Sequence, residues 1–127
     1  MSNIFGIGTD IVDVNRIQKL INKNIKFRNK IFSKKEIKYC ESKTNKVASY
    51  SKRFAAKEAF AKALGVGISK GISFNEIVVN NNKYGAPFIE LSGKTKTIVQ
   101  TLIKKKNKIY LSLSDEKKYA LAMVVIS

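Results

Sequence analysis

Only nine of the 127 residues are acidic against 25 basic ones, so each carboxylate is informative. Two of them stand out. Asp10 ends the glycine-containing stretch NIFGIGTD, and Glu58 lies within KRFAAKEAFAKALGVG, residues 52–67. Read as a helix at 100° per residue, that segment places Phe54, Ala55, Ala56, Ala59, Phe60, Ala61, Ala63 and Leu64 at almost every azimuth. A helix that is apolar nearly all round is a buried one. The charged residues set among them, Arg53, Lys57, Glu58 and Lys62, therefore need partners, because an unpaired buried charge is costly. Either they are paired for structure or they serve a site. Two carboxylates from separate elements can converge on a hard divalent ion such as Mg2+, which takes one or two protein carboxylates plus waters and phosphate oxygens. Lys62, one turn beyond Glu58, would then reach a phosphate oxygen. The plainer alternative is an i,i+4 Glu58–Lys62 pair worth about 0.2–0.5 kcal/mol, with Asp10 capping a turn. The loop GVGISKG, with Gly65, Gly67 and Gly71, can present backbone N–H groups to a phosphate. It lacks the spacing of a Walker loop, and such a stretch is more often a helix stop followed by a turn.

These residues need elements to position them. Residues 3–9 read as a strand whose glycines alternate with Phe5, Ile7 and Thr9, and strand glycine marks close approach of another backbone or a ligand. Asp13 can N-cap a helix with Val14, Ile17, Leu20 and Ile21 on one face. Ser33 and Glu36 have capping-box spacing, which predicts a short helix with Ile37 and Cys40 inward. The apolar helix then runs over about 47–64, and Gly65 can end it in a left-handed conformation. EIVV (76–79) and PFIEL (87–91), joined by NNNKYGA, read as a hairpin. Residues 95–105 have helical spacing, and 108–114 with 119–126 form a second hairpin around DEKK. YALAMVVI lacks a clean polar alternation, which predicts a strand that is central or covered on both faces. The order β-α-α-α-β-β-α-β-β predicts an α+β fold, a mainly antiparallel sheet covered by helices on one side, as a single domain over 1–127.

Composition narrows the function. Hydrophobic content of 44% and charged content of 27% suit a globular protein. There is no histidine, which removes Ser-His and Cys-His catalysis and most zinc sites. Cys40, the single cysteine, excludes an intrachain disulfide and reads as a small core residue. No apolar run approaches the roughly 18 residues of a membrane span, and MSNIFGIGTD lacks the basic start and apolar stretch of a signal peptide, so the expected compartment is the cytoplasm. The net charge of +16 favours an acidic or phosphate-bearing partner. Lysine, isoleucine and asparagine supply 49 of 127 residues, a pattern of A/T-rich coding, so drift contributes to that charge. A basic nucleic-acid-binding module is the rival reading, and it predicts aromatic residues interleaved with basic ones on an exposed strand face.

Taken together, GIGTDIVDVNRI (6–17), KRFAAKEAFAKALGVG (52–67), ISFNEIVV (72–79), YGAPFIEL (84–91) and LSLSDEKKYALAMVVI (111–126) resemble the small holo-[acyl-carrier-protein] synthases, a family of phosphopantetheinyl transferases. The resemblance spans the chain in order, and the pairing of G-x-D with F-A-A-K-E-A-F-x-K-A is specific. It implies transfer of 4'-phosphopantetheine from coenzyme A to a serine of apo acyl carrier protein in fatty-acid synthesis, with adenosine 3',5'-bisphosphate leaving. Asp10 and Glu58 match the family's Mg2+ ligands, and Lys62 matches its lysine near the pyrophosphate. Arg53, Gly65, Gly67, Gly85 and Pro87 match the coenzyme A groove. Arg16, Lys26 and Lys30 match the basic surface that docks the acidic carrier helix, while Arg28 reads as solvated. Glu58, directly or through water, is the candidate base. The resemblance also implies a homotrimer with sites at subunit boundaries. Two departures stand out: Val66 replaces the threonine of a common G-T-G, and Ser114-Asp115 stands where many members read S-x-S-H.

Overall fold

The computed structural model describes residues 3–65, 71–104 and 106–127. Strand β1 (Gly6–Asp13) leads into helices α1 (Val14–Lys23), α2 (Ile25–Ile31), α3 (Lys34–Glu41) and α4 (Lys46–Leu64). A 3-10 turn (Phe74–Glu76) then precedes β2 (Ile77–Asn81), β3 (Pro87–Leu91), α5 (Gly93–Leu102), β4 (Ile109–Asp115) and β5 (Tyr119–Ile126). The α+β class and the order match the expectation, with the short helix α2 as an addition. Its start is set by Asn24, whose side chain accepts from Lys26 N.

Local chemistry shapes the other helix ends as expected. Asp13 accepts from the backbone N–H groups of Asn15 and Arg16 at the start of α1. Ser33 and Glu36 form the capping box of α3, and Gly65 closes α4 at φ 80°. The start of α5 is capped from elsewhere in the chain. The Glu76 carboxylate accepts from Lys94 N, Thr95 N and the Thr95 hydroxyl, which satisfies donors that Ser92 leaves open.

All strand pairs are antiparallel, in a three-stranded sheet ordered β1-β5-β4 and a separate β2–β3 ladder. The terminal strand β5 is central, as expected. Its burial nevertheless alternates, because Ala120, Ala122, Val124 and Ile126 face α4 while Tyr119, Leu121 and Met123 face outward. The alternation is one of size and burial rather than polarity. β1 is longer than the predicted 3–9: β5 pairs with it from Gly6 through Asp13, so Asp10 lies within the strand rather than at its end.

α4 is the central helix, with fourteen of nineteen residues buried, which confirms the all-round apolar reading. It lies directly on β1. A Cβ added to Gly6 would come within 1.8 Å of Ala63 O, and one added to Gly8 within 1.9 Å of Ala59 O. The strand glycines therefore admit the helix backbone itself. Cys40 is wholly buried, and burial pushes its thiol up to about 12, so it is a core residue. The outer face of the three-stranded sheet is uncovered: Ile7, Ile11, Tyr110, Tyr119, Leu121 and Met123 are each more than 40% exposed.

Candidate active site

Strand periodicity puts Gly6, Gly8, Asp10 and Val12 on one face of β1. The glycines bring α4 close there, and the next position carries a carboxylate towards the same helix. Lys62 of α4 answers it, donating to Asp10 Oδ1 at 3.0 Å and to the carbonyl of Thr9 at 2.9 Å. Glu58, one turn earlier on α4, is half-buried. Burial, and then the negative charge of Asp10, raise its pKa above the usual carboxylate value, while Lys62 and Arg16 pull it down. The structure thus brings together Asp10, Glu58, Lys62 and Arg16 from β1, α1 and α4.

That donor set suits Mg2+. Two hard carboxylate oxygen donors repel each other, and a divalent cation between them would relieve the repulsion that raises Glu58. Among the described residues no cluster of three or more His, Cys, Asp or Glu side chains occurs. The protein side of such a site would be the two carboxylates of Asp10 and Glu58, with water and phosphate oxygens completing it, the mixture of ligands Mg2+ takes.

The other charges of α4 have different work. Lys57 is fully buried and pairs with Glu36 Oε1 at 2.8 Å, which makes it a structural partner. Arg53, five positions before Glu58, leaves the helix about 140° away from it. It is 3% exposed, donates to Asn81 Oδ1 at 2.8 Å and lies over the Tyr39 ring at 4.1 Å. Asn81 in turn donates to the carbonyl of Gly85. Gly85, at φ 85°, and Pro87 at the start of β3 thus join Arg53 in a second group beside a cavity of about 210 Å3. Arg53 Nε lines no partner among the described residues. The predicted groove residues accordingly form two groups in one chain. Gly65 ends α4 three residues beyond Lys62, and Gly67 and Val66 lie outside the described residues.

The predicted docking residues Arg16, Lys26 and Lys30 are all exposed. The Arg16 guanidinium sits 5.9 Å over the Phe54 ring, and Lys30 borders a groove of about 550 Å3 walled by Phe27, Ile31, Ile72 and Phe74. Arg28 differs from expectation: its side chain is only 24% exposed and turns towards Glu41 at 3.9 Å, drawn in by that carboxylate. A cavity of about 570 Å3 between Gln18, Ile25, Arg28 and Val47 contains none of the predicted site residues. The departure at Asp115 is occupied locally, since its carboxylate meets Lys52 Nζ at 3.4 Å. Sequence reasoning missed Asn81, Tyr39 and Glu36 as partners. The one available signal was the demand of Arg53 and Lys57 for buried acceptors.

The chain is similar to known proteins along nearly its whole length. The holo-[acyl-carrier-protein] synthase of Pelagibacter ubique is 46% identical over 124 residues, covering 97% of this chain and 96% of that protein. The crystal structure of the holo-[acyl-carrier-protein] synthase from Neisseria meningitidis superposes with a TM-score of 0.88 at 36% identity, covering 98% of this chain and 99% of that one. The Helicobacter pylori synthase in complex with coenzyme A superposes with a TM-score of 0.80 at 35% identity, covering 95% and 99%. Residues 6–124 match the family directly. The chain belongs to the 4'-phosphopantetheinyl transferase superfamily.

Proposed function

We propose that residues 1–127 act as one holo-[acyl-carrier-protein] synthase domain, moving 4'-phosphopantetheine from coenzyme A to a serine of apo acyl carrier protein. The observation that carries this reading is the convergence of Asp10, Glu58 and Lys62 on the seam between β1 and α4 in a chain of this superfamily. The serine oxygen bonds to the phosphorus that bears pantetheine, and the bond from that phosphorus to the bridging oxygen breaks, releasing adenosine 3',5'-bisphosphate. Such transfer needs positioning and charge stabilisation more than covalent chemistry from the protein, which suits a chain without histidine.

Asp10 and Glu58 would hold Mg2+, whose charge when bound offsets that of the pyrophosphate. Lys62 would neutralise the departing oxygen. Its side chain is 56% exposed, so it can swing from Asp10 to a phosphate without disturbing the core. Glu58, raised by burial and by Asp10, is the candidate acceptor of the serine proton, directly or through water. Arg53, Gly65, Gly67, Gly85 and Pro87 would line the coenzyme A groove. Arg16, Lys26 and Lys30 would meet the acidic carrier helix, with the groove beside Lys30 receiving its apolar side chains.

The two-group arrangement and the bare sheet face favour a homotrimer. Ile7, Ile11, Leu121 and Met123 form an apolar surface of the kind that marks a protein interface, and a neighbouring copy could bring its Arg53 group to the Asp10 group. The cytoplasm is the proposed compartment, and no helix among the described residues is long and apolar enough to cross a membrane. The nucleic-acid reading finds no support. The relatives are synthases, and on the exposed sheet face the aromatics Tyr110 and Tyr119 stand among Leu121, Met123 and isoleucines; the Lys83–Tyr84 pair lies in the β2–β3 turn, off any strand face.

The test is the mass of purified apo acyl carrier protein after incubation with this protein, coenzyme A and Mg2+. A gain of one phosphopantetheine group is expected, and an unchanged mass would overturn the assignment.

A further inference from the structure

Lys57 is the buried charge on α4 that the proposed reaction leaves unused, and its surroundings are unusual. The side chain is 0% exposed. Its ammonium donates to Glu36 Oε1 at 2.8 Å, to the Phe74 carbonyl at 2.8 Å and to the Ile77 carbonyl at 2.5 Å, so all three protons are engaged. Glu36 is equally saturated: Oε1 also accepts from Ser33 N and Oε2 from Val79 N. One buried pair therefore ties together α4, the start of α3, the 3-10 turn and β2.

Stability alone is a weak reason for such a pair, since well-packed apolar residues of similar volume often do as well or better. An ion pair with directed hydrogen bonds differs from apolar packing in fixing position. Apolar surfaces tolerate sliding, whereas N–H···O bonds hold donor and acceptor within a few tenths of an ångström. Three of the segments held here carry part of the candidate site. Glu58 follows Lys57 directly and Lys62 lies just over a turn further on. Phe74, whose carbonyl is held, walls the groove beside Lys30. Val79, whose N–H is held, lies two residues before Asn81, the acceptor for Arg53.

We propose that Lys57 and Glu36 are positioning residues for the transfer reaction, fixing α4, the 3-10 turn and β2 against one another so that the carboxylate pair, the groove wall and the Arg53 hairpin keep their relative places. This rests on the synthase reading above. The pair touches no reacting atom, and its influence passes through the segments it holds.

The test replaces both members with apolar residues, Lys57→Met with Glu36→Leu, in the full-length protein. The double variant is expected to melt within a few degrees of the wild type or higher, yet to lose at least tenfold in kcat and to bind Mn2+, followed by electron paramagnetic resonance, at least fivefold more weakly. All measurements are made at a temperature where both proteins are fully folded. A folded double variant with wild-type kcat and Mn2+ affinity overturns the proposal and leaves the pair a matter of folding alone. Should the double variant not fold, Glu36→Asp decides. It keeps the charge but is one methylene too short to hold both Lys57 and Val79 N, so kcat and Mn2+ affinity should fall severalfold while the circular dichroism spectrum is retained. Unchanged values there also overturn the proposal. Wild-type protein in the same assay separates the two readings: a wild type without transfer activity refutes the synthase assignment, whereas active wild type with equally active variants refutes only the positioning role.

Discussion

Replacing Lys62 by alanine should separate catalysis from stability. The ammonium lies 3.0 Å from Asp10 Oδ1, but its side chain is 56% exposed. In bulk water two charges at that distance attract by about 1.4 kcal/mol, and exposed pairs measured by double-mutant cycles retain only about 0.2–1 kcal/mol after side-chain ordering and salt screening. Loss of Lys62 should therefore shift the melting temperature by no more than a few degrees. The reaction should suffer far more. A charge contact that strengthens only as the leaving oxygen becomes anionic is worth about 2.7–4 kcal/mol, or 10²–10³ in kcat. The assay follows release of adenosine 3',5'-bisphosphate and the mass of the carrier protein at saturating coenzyme A, with a thermal melt on the same preparation. Added Mg2+ should not restore the rate, because the missing charge is not a metal ligand. A variant that retains a third of wild-type kcat would refute the role given to Lys62. One that melts more than ten degrees early would show that the pair with Asp10 is structural.

Glu58→Gln and Asp10→Asn should each lower activity by about a hundredfold or more, partly restored by raising Mg2+, with melts close to wild type; full activity in either would remove the metal site. Arg16→Glu should raise the KM for carrier protein and leave that for coenzyme A nearly unchanged, and the effect should shrink as salt is raised; equal changes for both substrates would relocate the docking surface. Met123→Lys should place a charge on the apolar sheet face and dissociate the proposed homotrimer; sedimentation showing wild type and variant with the same mass would exclude that face as the interface. Glu76 is held below the usual carboxylate value by the Thr95 hydroxyl and by backbone N–H groups, so its contribution is present above about pH 4.3 and fades as pH falls through its lowered folded-state value. Glu76→Gln should accordingly be less stable than wild type at pH 7, with the gap in urea midpoint narrowing below pH 4; a gap independent of pH would mean that the charge contributes nothing.

Features legible in the sequence were those settled by neighbours in the chain. The Asp13 cap, the Ser33–Glu36 box and the Gly65 stop each involve side chains or dihedrals within three residues of the helix end, where residue type and spacing suffice. Asp10 and Glu58 were visible because strand glycines and an all-round apolar helix are both unusual. α2 escaped because NKNIKFRNK has no apolar period and its start depends on the Asn24 side chain. The extent of β1 was set by β5, more than a hundred residues away. Azimuth alone could not separate the fates of Arg53, Lys57, Glu58 and Lys62. Lys57 found its acceptors 17 to 21 residues away and Arg53 found Asn81 at a separation of 28, distances over which local pattern carries no information. The division of the groove residues into two groups is likewise a property of the tertiary fold.

The contact between β1 and α4 leaves a mark on the composition of the whole chain. A sequence in which lysine, isoleucine and asparagine have spread to 49 positions still keeps alanine, whose codons begin with G and C. There are nine, and six of them, Ala48, Ala55, Ala56, Ala59, Ala61 and Ala63, lie on α4. Two more, Ala120 and Ala122, face that helix from β5, and all eight are buried. Only Ala86 lies elsewhere. Eight of the nine alanines thus sit on the central helix or on the strand that packs against it, in the part of the fold where β1 and α4 approach most closely. The smallest side chains of the protein are thereby gathered around the helix that carries Glu58 and Lys62.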